Sequence, residues 1–158
     1  MVSLAFAVAR WSSNRRPRIE DPDIELFLTG WLRRELAART TDPICQGVKV
    51  SNREPEPPAA FPPKLVVIRY DGGPDTSLVS SEASIGVSIL AGTKDSPQEA
   101  NDLARRVKAI LKDCAAVEPG NPVSAVLESN GPYPVPEDQP RARRYMTFTL
   151  ALVGQELT

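Results

Sequence analysis

Between Ser84 and Cys114 the apolar positions change period. Ile85, Val87, Ile89 and Ala91 alternate with Ser84, Gly86, Ser88 and Leu90, the period-2 pattern of a half-buried strand. Beyond them Ala100, Leu103, Ala104, Val107, Ile110, Leu111 and Cys114 follow the spacing of one buried helical face. Ser96, Pro97 and Glu99 read as a capping box with proline at the first helical position, so a helix is predicted to start there.

An earlier helix is predicted from about Asp21 to Arg39. Asp21 precedes Pro22, Asp23 complements the positive helix end, and Ile24, Phe27, Leu28, Trp31, Leu32 and Leu36 recur on one face. The Thr-Thr-Asp-Pro run at 40–43 ends it. Further strands are predicted over 47–51, 64–70, 122–129 and 142–153, the last with Met146, Phe148, Leu150 and Leu152 on one face and Tyr145, Thr147, Thr149 and Ala151 on the other. Residues 53–63 form a proline-rich connector expected to be exposed, and the 71–81 and 130–141 segments read as loops.

The fold expected is α+β: a single mixed or antiparallel sheet of about five strands, with both helices on one face and an extended amino-terminal arm over 1–20 ahead of one domain at 21–158. The other sheet face, with Ser84, Ser88, Tyr145, Thr147 and Thr149, is too small and polar for a second core and should meet solvent or another subunit. The arm joins an apolar start, Val2 to Trp11, to a basic stretch with Arg15, Arg16 and Arg18. A partner surface or the chain's own sheet is expected to hold it. Its apolar run lacks a basic stretch in front and is broken by Arg10, so neither a signal peptide nor a membrane anchor is expected.

Composition narrows the chemistry. A chain of 158 residues supports one domain with a real core. Nineteen Lys and Arg against 20 Asp and Glu give a formal net charge of -1, so no global field draws the protein to nucleic acid or anionic membrane. Histidine is absent, which removes the commonest general base near neutral pH and the commonest zinc ligand. Two cysteines, Cys45 and Cys114, suit reduced thiols better than a disulfide framework, and Cys114 shares the apolar helix face.

Local motifs give no cofactor or metal site. Ala91-Gly92-Thr93-Lys94 lacks the earlier glycine and the hydroxyl directly after lysine that a phosphate-binding loop needs. Asp71-Gly72-Gly73 with Asp75 lacks the ligand ladder of a calcium loop and reads as a turn. Arg15, Arg16 and Arg18 with Trp11 are matched better to a protein-contact arm than to nucleic acid. Arg141, Arg143 and Arg144 precede the last strand and read first as a solvated strand end.

Taken together, DIELFLTGWLRREL, PPKLVVIRYDGG, IGVSILAGT, ANDLARRVKAIL, NGPYPV and RRYMTFTLALVG resemble the tail terminator proteins of long-tailed, non-contractile bacteriophages, especially those of actinobacteria. The resemblance covers about residues 21–157 and rests on element order and texture; the arm lies outside it. It implies a non-enzymatic virion protein of the neck region, assembled in the host cytoplasm without catalytic, cofactor or metal residues. The family's ring, usually a hexamer, sits on the head-proximal end of the tail tube, ends tube polymerisation, joins the head-completion proteins and leaves a channel for DNA. Candidate subunit and partner contacts are Trp11, Arg15, Arg16 and Arg18 in the arm, Asp71 and Asp75 in the first loop, and Tyr133, Arg141 and Arg143 in or after the second. Alternatives are another neck component, a small hydrolase with converging carboxylates, or a nucleic-acid adaptor using the arginine arm.

Overall fold

The computed structural model describes residues 16–56 and 61–158. Their elements run β1 (Ile19–Glu20), α1 (Ile24–Ala37), a 3-10 turn (Pro43–Cys45), β2 (Lys49–Ser51), β3 (Lys64–Tyr70), β4 (Ser80–Ala91), α2 (Gln98–Leu111), β5 (Val123–Pro134), β6 (Ala142–Val153) and β7 (Gln155–Glu156). Five strands form one mixed sheet in the order β2-β3-β4-β6-β5, and β1 pairs with β7 in a separate two-stranded ribbon. Among the described residues, only the β2–β3 pair is parallel within the large sheet. Parallel neighbours need a crossover of about a dozen residues, and the proline-rich connector supplies it.

Both helices pack on one sheet face. Ile24, Leu28, Leu32 and Leu36 of α1 and Leu103, Val107 and Ile110 of α2 share a core with Val66 and Ile68 of β3, Ile85, Val87 and Ile89 of β4, and Met146, Phe148 and Leu150 of β6. Register explains the sharing: Ile89 faces Val66, and Ile85 and Val87 lie opposite Phe148 and Met146, so alternate side chains from three strands point the same way. The fold is therefore α+β with a single helix-covered sheet.

Local chemistry moves several boundaries. Helix α1 is capped by Asp23 rather than Asp21, its carboxylate accepting from the Leu26 N–H at 3.0 Å. Helix α2 starts at Gln98 without a side-chain cap, contrary to the expected Ser96 box. The Ser96 N–H instead bonds back to the Thr93 carbonyl and hydroxyl, both at 3.1 Å, in a turn that uses the positive φ of Gly92. The 3-10 turn was not anticipated; Asp42 caps it, and Lys64 Nζ donates to the carbonyls of Pro43 and Gln46 at 2.7 and 2.9 Å.

The two expected loops are shorter than the sequence implies. Asn130 to Pro134 belong to β5, which continues past its bulges because Tyr133 and Pro134 pair with Tyr145 and Arg144. Ser80 and Ser81 belong to β4, and the segment before them lies back along that strand: the Glu82 N–H donates to Pro74 O at 2.9 Å and the Ser84 N–H to Gly72 O at 2.7 Å. A Cβ on Gly73 would overlap the Glu82 carbonyl oxygen. Gly73→Ala should peel this segment away at a cost of about 2–3 kcal/mol, two backbone bonds plus strain, read as a lower urea midpoint with unchanged slope.

Cys114 lies in the core at 1% exposure, and burial pushes its thiol up to about 11. Because the folded value exceeds the unfolded one, its stabilising contribution is complete below the ordinary thiol range and is lost as pH rises toward 11. Unfolding free energy should fall between about pH 8 and pH 10.5, and Cys114→Ala should remove on the order of 1–2 kcal/mol of that fall.

Candidate functional site: the uncovered sheet face

The sheet face away from the helices is built by register. Arg69 of β3, Ser84, Gly86 and Ser88 of β4, Tyr145, Thr147 and Thr149 of β6, and Asn130 and Tyr133 of β5 share it, since Arg69 faces Gly86, Gly86 faces Thr147, and Tyr133 faces Tyr145. At its middle Tyr145 reaches across β4. A Cβ at Gly86 would overlap the Tyr145 hydroxyl and stand 3.1 Å from Asp71 Oδ2, so glycine is what lets the ring lie flat there. Arg69 Nε donates to Asp71 at 2.6 Å and its Nη2 to the Tyr145 hydroxyl at 3.3 Å. The bond to Asp71 raises the pKa of the Arg69 guanidinium. The Tyr133 and Tyr145 rings meet edge to face, with centroids 5.7 Å apart at 73°.

Two residues singled out from sequence as contacts, Asp71 and Tyr133, thus join one half-exposed cluster with Tyr145, which the sequence placed on this face, through Arg69, which was not singled out. Asp75 lies apart, exposed and bridged to Ser81. The cluster offers phenol hydroxyls, a paired charge and tyrosine ring edges, the groups of a contact surface with a polar rim.

One end of the face is covered, which corrects the expectation of a wholly open surface. Phe61, Leu65, Val67 and Leu90 make a small second core. The continuous apolar run of β3, Leu65 to Ile68, carried that signal, because a strand buried on both faces loses its alternation. Arg141 fastens the cover, donating to the carbonyls of Pro63 at 2.8 Å and Phe61 at 3.1 Å. Arg143, with its side chain only 12% exposed, bridges Glu54 and Glu137. Burial opposes its charge, but the hydrogen bonds it donates to the Glu54 and Glu137 carboxylates outweigh it and raise its pKa. Neither guanidinium stands at a freely solvated strand end, since both are hydrogen-bonded within the chain. Among the described residues of the connector, Phe61 is buried and Glu54, Pro55 and Pro62 are half-buried, less exposed than the composition implied.

Of the arm contacts, Trp11 and Arg15 lie outside the described residues. Arg16 and Arg18 are exposed, and just after them Ile19 and Glu20 pair with Glu156 and Gln155, so the chain's own carboxyl-terminal strand holds the base of the arm. On the opposite side of the molecule Arg106 of α2 donates to Asp42 at 3.0 Å, and this bond holds the Asp42 carboxyl below its usual range. Among the described residues no group of three or more Cys, Asp or Glu gathers to hold a metal ion, and no helix is long and apolar enough to cross a membrane. Neither the models of known protein families nor the curated proteins include a match to this chain.

Proposed function

We propose that this chain is a structural virion subunit, a tail terminator that closes into a ring on the head-proximal end of a phage tail tube. The observation that carries the reading is the single sheet with helices on one face and a partly uncovered polar face on the other, flanked by the long β5 edge. Backbone groups along an unpaired edge and a flat tyrosine-bearing face are surfaces that another subunit can cover. The resemblance in element order supplies the particular assembly.

Size decides how the ring would be held. Four strands at about 4.8 Å each and 12 residues of β4 at about 3.3 Å each give at most roughly 760 Å² for the whole face, part of which the Phe61, Leu65, Val67 and Leu90 cluster already covers. A stable interface buries about 800 Å² per partner. The face alone falls short, so the contact must extend onto the β5 edge, the Thr76–Val79 tip, or the arm. A head-to-tail contact of this kind is heterologous, and closes into a ring when its rotation divides a full turn. In this reading the ring stops tube growth, meets a neck protein above and the tube protein below, and lets DNA pass without reading its sequence.

The test is electron microscopy of tail tubes isolated from a long-tailed actinobacteriophage and incubated with the purified chain. Extra density on one end of each tube, with no further elongation on adding tube protein, is the expected result. Bare ends and continued growth would exclude the terminator role.

A further inference from the structure

We infer that the groove beside the start of α1 receives the apolar amino-terminal segment, residues 2–11, of a neighbouring copy of this chain. The groove has a volume of about 480 Å³ and is lined by Pro22, Leu26, Phe27, Pro122 and Val153. Leu26 is 69% exposed and Val153 45%, so two large apolar side chains line one open groove. Asp23 lies in its wall, with Glu20 and Asp21 just before it in the chain.

The occupant follows from sequence and direction. Val2, Leu4, Phe6 and Val8 alternate with Ser3, Ala5, Ala7 and Ala9, so an extended segment would put four bulky apolar groups on one side and small ones on the other. Arg10 and Arg15 then follow, opposite in sign to the acidic residues at the groove.

Strand polarity selects the neighbour. β1 runs antiparallel to β7, with Glu20 opposite Gln155 and Ile19 opposite Glu156, and the Leu157 N–H donates to Arg18 O at 2.8 Å. The groove is lined by Val153, Gly154 and Gln155, at the Glu20 end of this ribbon. Traced back from Ile19, the chain therefore leaves beside Leu157, away from its own groove. Residues 12–18 can extend up to roughly 24 Å, which allows the departing chain to carry the segment beyond its own domain. The inference rests on the self-assembling subunit proposed above but does not require a tail.

The test places cysteines at Phe6→Cys and Leu26→Cys in the full chain and oxidises with oxidised glutathione. Native Cys45 and Cys114 are 3% and 1% exposed and do not compete. Disulfide-linked multimers, in a yield at least about tenfold above either single variant and collapsing on reduction, are expected. The pair Phe6→Cys with Val153→Cys should behave alike, which guards against a local fault at position 26. An internal disulfide within a monomer, or no disulfide from either pair, overturns the inference. A closed ring without these links would remove only the exchanged arm; linked chains that never close would keep the arm and remove the ring.

Discussion

Leu103→Ala is expected to lower the unfolding free energy by about 3–4 kcal/mol. Leu103 has no exposed surface and sits on the central turn of α2, in the core shared with Ile85, Val87, Met146 and Phe148. Truncation removes about three carbons' worth of transfer energy and leaves a cavity between helix and sheet that two rigid layers cannot close. Against a typical domain stability of about 5–15 kcal/mol, that loss is large enough to shift the urea midpoint well outside error. Val117→Ala is the control: Val117 is fully exposed, and its truncation should change stability by less than about 0.5 kcal/mol. Equal effects at the two positions would mean that α2 does not cover the sheet.

Thr147→Arg is expected to leave the fold intact and weaken self-association at least about a hundredfold. Thr147 lies on the uncovered face, opposite Gly86 on one side and Asn130 on the other. An arginine there has room to extend into solvent in the free chain, so stability should move by less than about 1 kcal/mol. Against a neighbouring subunit the same side chain would bring an unpaired charge and extra volume into the middle of the contact. Sedimentation of the variant beside the unaltered chain reads the difference. Unchanged association would move the contact off this face.

The pattern of apolar positions was enough to read the layer arrangement. The strands at 64–70 and 142–153 have the bounds predicted, the first from an apolar run and the second from alternation, and both helices bury the expected stripes. What escaped was set by backbone partners that periodicity does not encode. Pro132 and Pro134 looked like loop residues, yet β5 runs through them, because an edge strand tolerates prolines whose missing N–H faces away from the ladder. Ser96 had the composition of a cap, but Gly92 turned the chain so that Thr93 took its N–H instead.

The site was partly legible for the same reason. Asp71 and Tyr133 were marked as exposed loop residues, while the groups that join them, Arg69 and Tyr145, sit inside strands and come together only through a register no local window shows. Arg141 and Arg143 stood in a basic run that looked solvated. Of their partners, Phe61, Pro63 and Glu54 lie 78 to 89 residues away in sequence, and Glu137 alone is local.

Native mass spectrometry of the full chain, across concentrations spanning micromolar, tests the central claim most directly. The account predicts one dominant closed species at a fixed multiple of the 17.2 kDa chain, with six the multiple the resemblance implies. A 17.2 kDa monomer at every concentration, or an open ladder without a preferred size, would contradict it.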